Sequence, residues 1–417
     1  KLCLLREMTI RKPLQGRFEN GRYHGIGLAY FVKNTGGLEP YEGARVVVGD
    51  GHSVAVYISI SMLGQGHETA MAQICADTLG VPMDWISVFH GNTDQIPLGW
   101  GTFASRGTVM CGSALYLAAE KLKQKLLAVA GKRLGVEAAR LELREGKIYQ
   151  KGTEAPPLDL SDLVSLVRAS VTLNQGQPEL EETAYFNSSL MTYSYGVHLT
   201  HVAVDPETGM LEVLKYLVVE DVGRVINPLL VHGQTVGAAV QGIGGTLLEQ
   251  LVYSANGQLL TTTFRDYLLP SSTDVPPIES VILEEAPSPL NPLGVKGAGE
   301  GGIVGTGAAL ANAVTMALAS LGVEVTELPL SPDRIREWIR RRAAHQGFPG
   351  SGPHFTSTPS SCTTKPSLSA ASSMSFAVGL PAPWPAFVSM RMSTGGPMRC
   401  CVSCKRAANL KLCAWTT

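Results

Sequence analysis

The stretch HSVAVYISISMLGQGHETAMAQICADTLG, residues 52–80, sets the pattern repeated along the chain. Val54, Val56, Ile58 and Ile60 alternate with their neighbours at the two-residue period of a half-buried strand. Gly64-Gln65-Gly66 then interrupts the strand. An amphipathic run from His67 to Leu79 follows, and Gly80 supplies a helix stop. Strand, glycine loop and helix follow one another within 29 residues.

Working outward, the same order recurs twice. WISVFHG (85–91) reads as a strand, a loop spans 99–107, and a long helix runs from about Val109 to Leu134. Further on, a strand at 278–284 precedes the loop GVKGAGEGG (294–302) and a helix from about 303 to 321. Between them, LELREGKIYQ (141–150) reads as a hairpin turning at Glu145-Gly146, and Ser161 as the N-cap of a short helix. Strands near 197–204 and 211–220 flank the turn from Asp205 to Gly209, and a helix covers about 231–251. Ser331-Pro332 opens a last helix to Arg342. The fold class is therefore α+β, with mixed sheets and helices packed on them. The chain divides into 1–160, 161–344 and a tail, 345–417.

Composition narrows the function classes. The 417 residues are 45% hydrophobic and 17% charged, with 45 glycines. Such a chain can bury a large core and make many tight turns, and it does not read as disordered or coiled-coil. The net charge of −1 builds no field for nucleic acid or an anionic membrane. The longest apolar stretch, 308–322, is too short to span a bilayer, which needs about 20 residues. No signal-peptide pattern is expected from the first residues. The tail has no Asp or Glu after Glu337 and is rich in Ser, Thr and Pro, so it is expected to lie outside the fold. Its Cys400, Cys401 and Cys404 lack a convincing second half of a zinc site.

The three loops place backbone N–H groups ahead of helices, an arrangement that suits a phosphate or another anion. None fits the P-loop or dinucleotide fingerprint, so they point to a large ligand with several acceptors. Glu300 stands alone in Lys296-Gly-Ala-Gly-Glu-Gly-Gly-Ile. It reads either as a first-turn carboxylate favoured by the helix dipole or as a general base stripped of side-chain cover by its glycines. Gln65 is expected to bond something, and His67 and Glu68 to cap or solvate a helix start. Gln234 and Gln241 share one helix face. Arg106 reads as a phosphate contact or a surface charge. GIGG (242–245) reads as close helix packing. The nine His show no metal-ligand spacing, and Ser61, Ser105 and Ser113 lack a nucleophile elbow.

At four stretches the sequence resembles the molybdenum-binding large subunit of the xanthine dehydrogenase / aldehyde oxidase / carbon monoxide dehydrogenase family. They are GQGHETAMAQICADTLGV (64–81), GTFASRGTVMCGSA (101–114), DVGRVINPLLVHGQTVGAAVQGIGGTLLEQ (221–250) and GVKGAGEGGIVGTGAALANAV (294–314). The likeness runs from about Gly25 to Arg342 and implies the molybdopterin-binding fold of molybdenum hydroxylases. It implies that Gln65 and Gly66 contact the pterin. Phe103, Ala104, Ser105, Arg106, Gly107 and Thr108 then lie beside the metal and the pterin phosphate, Gln234 bonds the pterin, and Gly299 belongs to the active-site loop. Glu300 becomes the catalytic base, taking a proton from a molybdenum-bound hydroxyl; burial is expected to raise its pKa against the pull of helix N–H groups. No side chain of this chain is implied as a direct metal ligand.

The resemblance further implies oxidative hydroxylation of an aldehyde, N-heterocycle or related small carbon substrate in the cytoplasm. Electrons would pass to an iron–sulfur small subunit and an FAD medium subunit, in a dimer of heterotrimers. The glycine-rich style is nearer the bacterial branch, in which the cytosine dinucleotide form of the cofactor is usual. The family's Gly-Gly-Gln-Glu segment and Arg-Gly loop are expected to precede Lys1. Two other readings stay open: a non-catalytic remnant or assembly module, and an unrelated phosphate-ligand binder.

Overall fold

The computed structural model describes residues 2–36, 41–174 and 180–345. The expectations for the tail fall on 346–417, outside these residues. In chain order, helix α1 (Leu2–Arg11) leads into strands β1 (Phe18–Glu19), β2 (Arg22–Thr35), β3 (Glu42–Gly49) and β4 (Ser53–Ile58). Helix α2 (His67–Leu79) and strand β5 (Ile86–His90) follow, then a π-helical turn (Gly107–Gly112) and α3 (Ser113–Leu134). Next come β6 (Leu141–Arg144), β7 (Lys147–Gln150), β8 (Leu158–Asp159), α4 (Leu160–Asn174) and β9 (Glu181–Phe186). The rest is β10 (Thr192–Val204), β11 (Leu211–Asp221), α5 (Pro228–Leu247), β12 (Ile278–Leu283), α6 (Gly301–Val304), α7 (Thr306–Ala317) and α8 (Pro332–His345).

The alternation read at 54–60 is β4. It pairs antiparallel with β3 and parallel with β5, so β4, α2 and β5 form a βαβ unit. β9 completes a four-stranded sheet in the order β5-β4-β3-β9. Val46, Val48, Val54, Val56 and Ile58 bury one face of it against Met71, Ile74 and Leu79 of α2 and Leu115, Leu122 and Leu126 of α3. α2 stops at Gly80, which is left-handed (φ 88°) and packs so closely on the Leu143 carbonyl that a side chain would collide.

A second sheet has the order β1-β2-β10-β11-β12. β2, β10 and β11 are antiparallel, β11 and β12 parallel, with α5 in the connection. β10 and β11 flank the expected turn, where Asp205 Oδ1 accepts from the N–H groups of Glu207 and Thr208. Apolar residues of α5 and α7 cover the sheet with Val202, Val204, Tyr216 and Val218.

β2 is the long strand that no sequence pattern announced. Gly25 and Gly27 weaken its strand signal, and the fold shows why they are glycines. A Cβ on Gly25 would strike the Ala313 carbonyl, and one on Gly27 the Ala309 carbonyl, both on α7. The helix lies directly on the strand.

Several boundaries differ from expectation. The helix expected at 303–321 is broken at Gly305 into α6 and α7. The long helix expected from Val109 starts as the π turn. Asp159, not Ser161, caps α4, its Oδ1 accepting from the Ser161 N–H at 2.9 Å. In GIGG, Gly242 does allow close packing, against Thr306 of α7, whereas a Cβ on Gly245 would meet nothing. The line at 160 is crossed in space: β2 joins β10, and β9 joins β3. Among the described residues no helix is long and apolar enough to cross a membrane.

Candidate active site

Three loops open onto one cleft of about 480 Å³. The first, between β4 and α2, contributes Leu63, Gly64 and Gln65. The Gln65 side chain folds back, its Oε1 accepting from the Leu63 N–H at 2.5 Å. The second runs ahead of the π turn and contributes residues 102–108. The third, between β12 and α6, contributes residues 295–300. The start of α5 closes the cleft with Asn227, Leu230, Val231 and Gln234. Asn227 caps that helix, its Oδ1 accepting from the Leu230 N–H, and Pro228 sits in the first turn.

The second loop is strained. Ala104 and Ser105 both take left-handed backbone (φ 49° and 52°), which costs a non-glycine residue on the order of 1 kcal/mol or more. The strain places Ser105 against the third loop, where its hydroxyl donates to Glu300 Oε2 at 2.7 Å. Its carbonyl lies where a Gly297 side chain would be. Lys33 of β2 approaches the same Oε2 at 3.2 Å. Oε2 is thus held from two sides, and Oε1 has no partner among the described residues.

The glycines around Glu300 make close approach possible rather than leaving a bare surface. A Cβ on Gly301 would collide with Glu220 Oε2, and one on Gly302 with the Thr235 carbonyl. The Gly301 carbonyl accepts from His198 Nε2 at 3.0 Å, while His198 Nδ1 accepts from the Tyr216 hydroxyl at 2.8 Å. Burial lowers the His198 pKa to about 4, so the imidazole is neutral. At the base of the loop, Lys296 donates to buried Asp221 at 2.8 Å. Burial alone would raise Asp221, but Lys296 and the N–H groups of Gly223 and Ala286 lower its pKa below the usual range.

The expected burial of Glu300 is not what the chain provides. Its side chain is 40% exposed and faces the cleft with Lys33 beside it. The surface-charge reading of Arg106 also fails: its side chain is 1% exposed and paired with Glu42. Gly66 does not line the cleft. It is the left-handed N-cap of α2, packed under Leu230. Gln241 is exposed and away from the cleft, unlike Gln234, whose amide has no side-chain partner among the described residues. The remaining expected residues (Gln65, Phe103, Ala104, Ser105, Gly107, Thr108, Gln234, Gly299 and Glu300) do share the one cleft.

Lys33 escaped the sequence reading, and His67, expected to cap or solvate a helix start, takes another place. Lys33 lies 267 residues from Glu300, and only the register of β2 brings it there. His67 lies in the cleft wall over Gly107, its Nδ1 buried without a partner among the described residues, and burial lowers its pKa. Glu68, one residue on, is exposed and meets His90.

The profile described as the molybdopterin cofactor-binding domain matches residues 5–276. The chain belongs to this family. Among relatives, it is 39% identical over 318 residues to the gamma subunit of the 6-hydroxypseudooxynicotine dehydrogenase complex of Paenarthrobacter nicotinovorans, covering 76% of this chain and 40% of that protein. It is 31% identical over 332 residues to the carbon monoxide dehydrogenase large chain of Afipia carboxidovorans, covering 76% and 41%. The solved structure of quinoline 2-oxidoreductase from Pseudomonas putida 86 superposes with a TM-score of 0.73 at 34% identity, over 82% of this chain and 44% of that one. The chain therefore spans about two fifths of the length of such relatives.

The cleft fits a molybdopterin. Its volume of about 480 Å³ lies in the range of small-ligand and cofactor sites. Gln65 and Gln234 offer amide groups, the buried Nδ1 of His67 lacks a partner among the described residues, and Gly64, Gly107, Gly297 and Gly299 expose backbone in the wall.

Proposed function

We propose that this chain is the cofactor-holding part of a molybdenum hydroxylase catalytic subunit. The reaction is oxidative hydroxylation of a small carbon substrate with water-derived oxygen. The observation carrying this reading is the convergence of three separate loops on one cleft, with one oxygen of Glu300 fixed and the other free. Gln65, Gln234 and the backbone of residues 103–108 hold the pterin. When bound, the molybdenum centre supplies two-electron oxidation chemistry. Ser105 and Lys33 aim the Glu300 carboxylate by Oε2, and Oε1 accepts the proton released as oxygen is transferred.

N-heterocycles are the favoured substrate class, ahead of aldehydes. The support is the naming of relatives as a nicotine 6-hydroxylase large subunit (37% identical) and a quinoline oxidoreductase (34% identical). Relatives named as gamma or large subunits support a multi-subunit complex; an iron–sulfur subunit and an FAD subunit, in a dimer of heterotrimers, complete this reading. The cytosine dinucleotide cofactor and a cytoplasmic location go with the same reading.

The test combines metal analysis with one substitution. In the complete complex the chain is expected to carry molybdenum and a pterin. Glu300→Gln keeps the side chain's size and removes the proton acceptor. Cofactor is expected to stay and turnover to fall at least ~10²-fold, the low end for losing a general base. Near-normal turnover at normal molybdenum content would overturn the role of Glu300. Absence of pterin from the folded wild-type protein would overturn the reading as a whole.

A further inference from the structure

Glu42 opens β3 and is fully buried, yet it does not line the cleft. A buried carboxylate must be matched by donors. Glu42 Oε1 accepts from the N–H groups of Trp100 and Gly101, each at 3.1 Å, and from the Arg106 guanidinium. Its Oε2 accepts from the Ser59 hydroxyl. Three of these four donors belong to the second cleft loop. The Arg106 guanidinium also donates to the Gly101 carbonyl at 3.1 Å and lies 4.9 Å over the Phe103 ring. Gly99 makes the approach possible, since even a Cβ there would come within 2.9 Å of Glu42 Oε2.

One carboxylate thus ties the loop at both ends, at Trp100 and Gly101 on one side and at Arg106 on the other. Between those ties sit Ala104 and Ser105, in backbone conformations that need outside support. Ser105 in turn holds Glu300. We propose that Glu42 is the positioning residue of the cofactor loop: it fixes the strained Ala104–Ser105 turn, and through Ser105 the aim of Glu300, without touching cofactor or substrate. This rests on the function proposed above. Arg106 then serves as the loop's internal strut.

The test uses Glu42→Gln in the full chain, with two readouts besides the unfolding midpoint. One is the rate of tryptic cleavage after Arg106. The other is pterin retained per chain, measured as the fluorescent oxidation product at a temperature well below either midpoint. A loop released from Glu42 exposes Arg106, so cleavage there is expected to rise at least ~10-fold. Retained pterin is expected to fall at least ~3-fold, because fewer molecules hold the binding-competent loop. Glu182→Gln, which breaks only the partly exposed pair with Lys125, should move neither. If Glu42→Gln does not fold, Glu42→Asp keeps the charge, draws the carboxylate back from the Trp100 and Gly101 N–H groups and carries the same expectations. Unchanged Arg106 cleavage together with unchanged pterin overturns the proposal. A wild-type chain that holds no pterin overturns the function instead, and the Arg106 cleavage ratio still decides the role of Glu42.

Discussion

Glu220 on β11 lies directly beneath the residue that follows Glu300. It is fully buried, Thr235 donates to its Oε1, and Oε2 is without a partner among the described residues. Burial pushes its carboxyl from the ordinary 4.5 up to about 7, against the lowering effect of the Thr235 hydroxyl. The neutral acid is therefore the form the fold accepts. Its stabilising contribution is complete below about pH 4.5 and is lost as pH rises to about 7. A shift of that size corresponds to roughly 3 kcal/mol. Glu220→Gln, neutral at every pH, should remove this slope. Urea unfolding of wild type and variant between pH 5 and pH 8 is expected to show the variant gaining on wild type as pH rises. Parallel curves would mean that Glu220 is already ionised in the fold.

Among elements, the contact of α7 on β2 is the least tolerant. Gly27 has no room for a methyl group against the Ala309 carbonyl, so Gly27→Ala must push the helix off the strand. Overpacking of this kind costs about 3 kcal/mol, and the chemical-denaturation midpoint should drop accordingly; an unchanged midpoint would show that the two elements can part freely. The same contact explains what the sequence could not disclose. β4, α2, β10, β11 and α5 each carry a local period or cap, and all were legible. β2 carries glycines instead, because its partner comes within reach only after folding. The site divides the same way. Gln65 and Glu300 sit in glycine loops, so composition exposed them, whereas Ser105 and Gln234 were marked only by the resemblance to a family. Lys33 and Glu42 have no local signature. Their roles come from strand register and from burial, which a linear reading does not contain. The burial expected of Glu300 failed for the complementary reason: flanking glycines signal close approach as readily as bare backbone.

For the whole molecule, the three loops that line the cleft lie between residues 63 and 300. Residues 346–417 contain no acidic side chain and no period that would let them add to its core. A chain ended after His345 should keep the thermal midpoint and pterin content of the full chain, as scanning calorimetry and pterin assay would show; a large fall in either would make the tail a working part of the protein. The strand exchange between the halves has a further consequence, for synthesis. β2 is paired along its length with β10, and Thr35 meets Thr192 across 157 residues of chain. At about 5–20 residues per second, β2 leaves the ribosome roughly 10–30 s before the strand that will cover its edge. During that interval its Tyr30 and Val32, exposed even in the finished fold, stand on an unpaired edge. The nascent chain is most exposed to misassociation at this strand, well before the cleft exists to receive any cofactor.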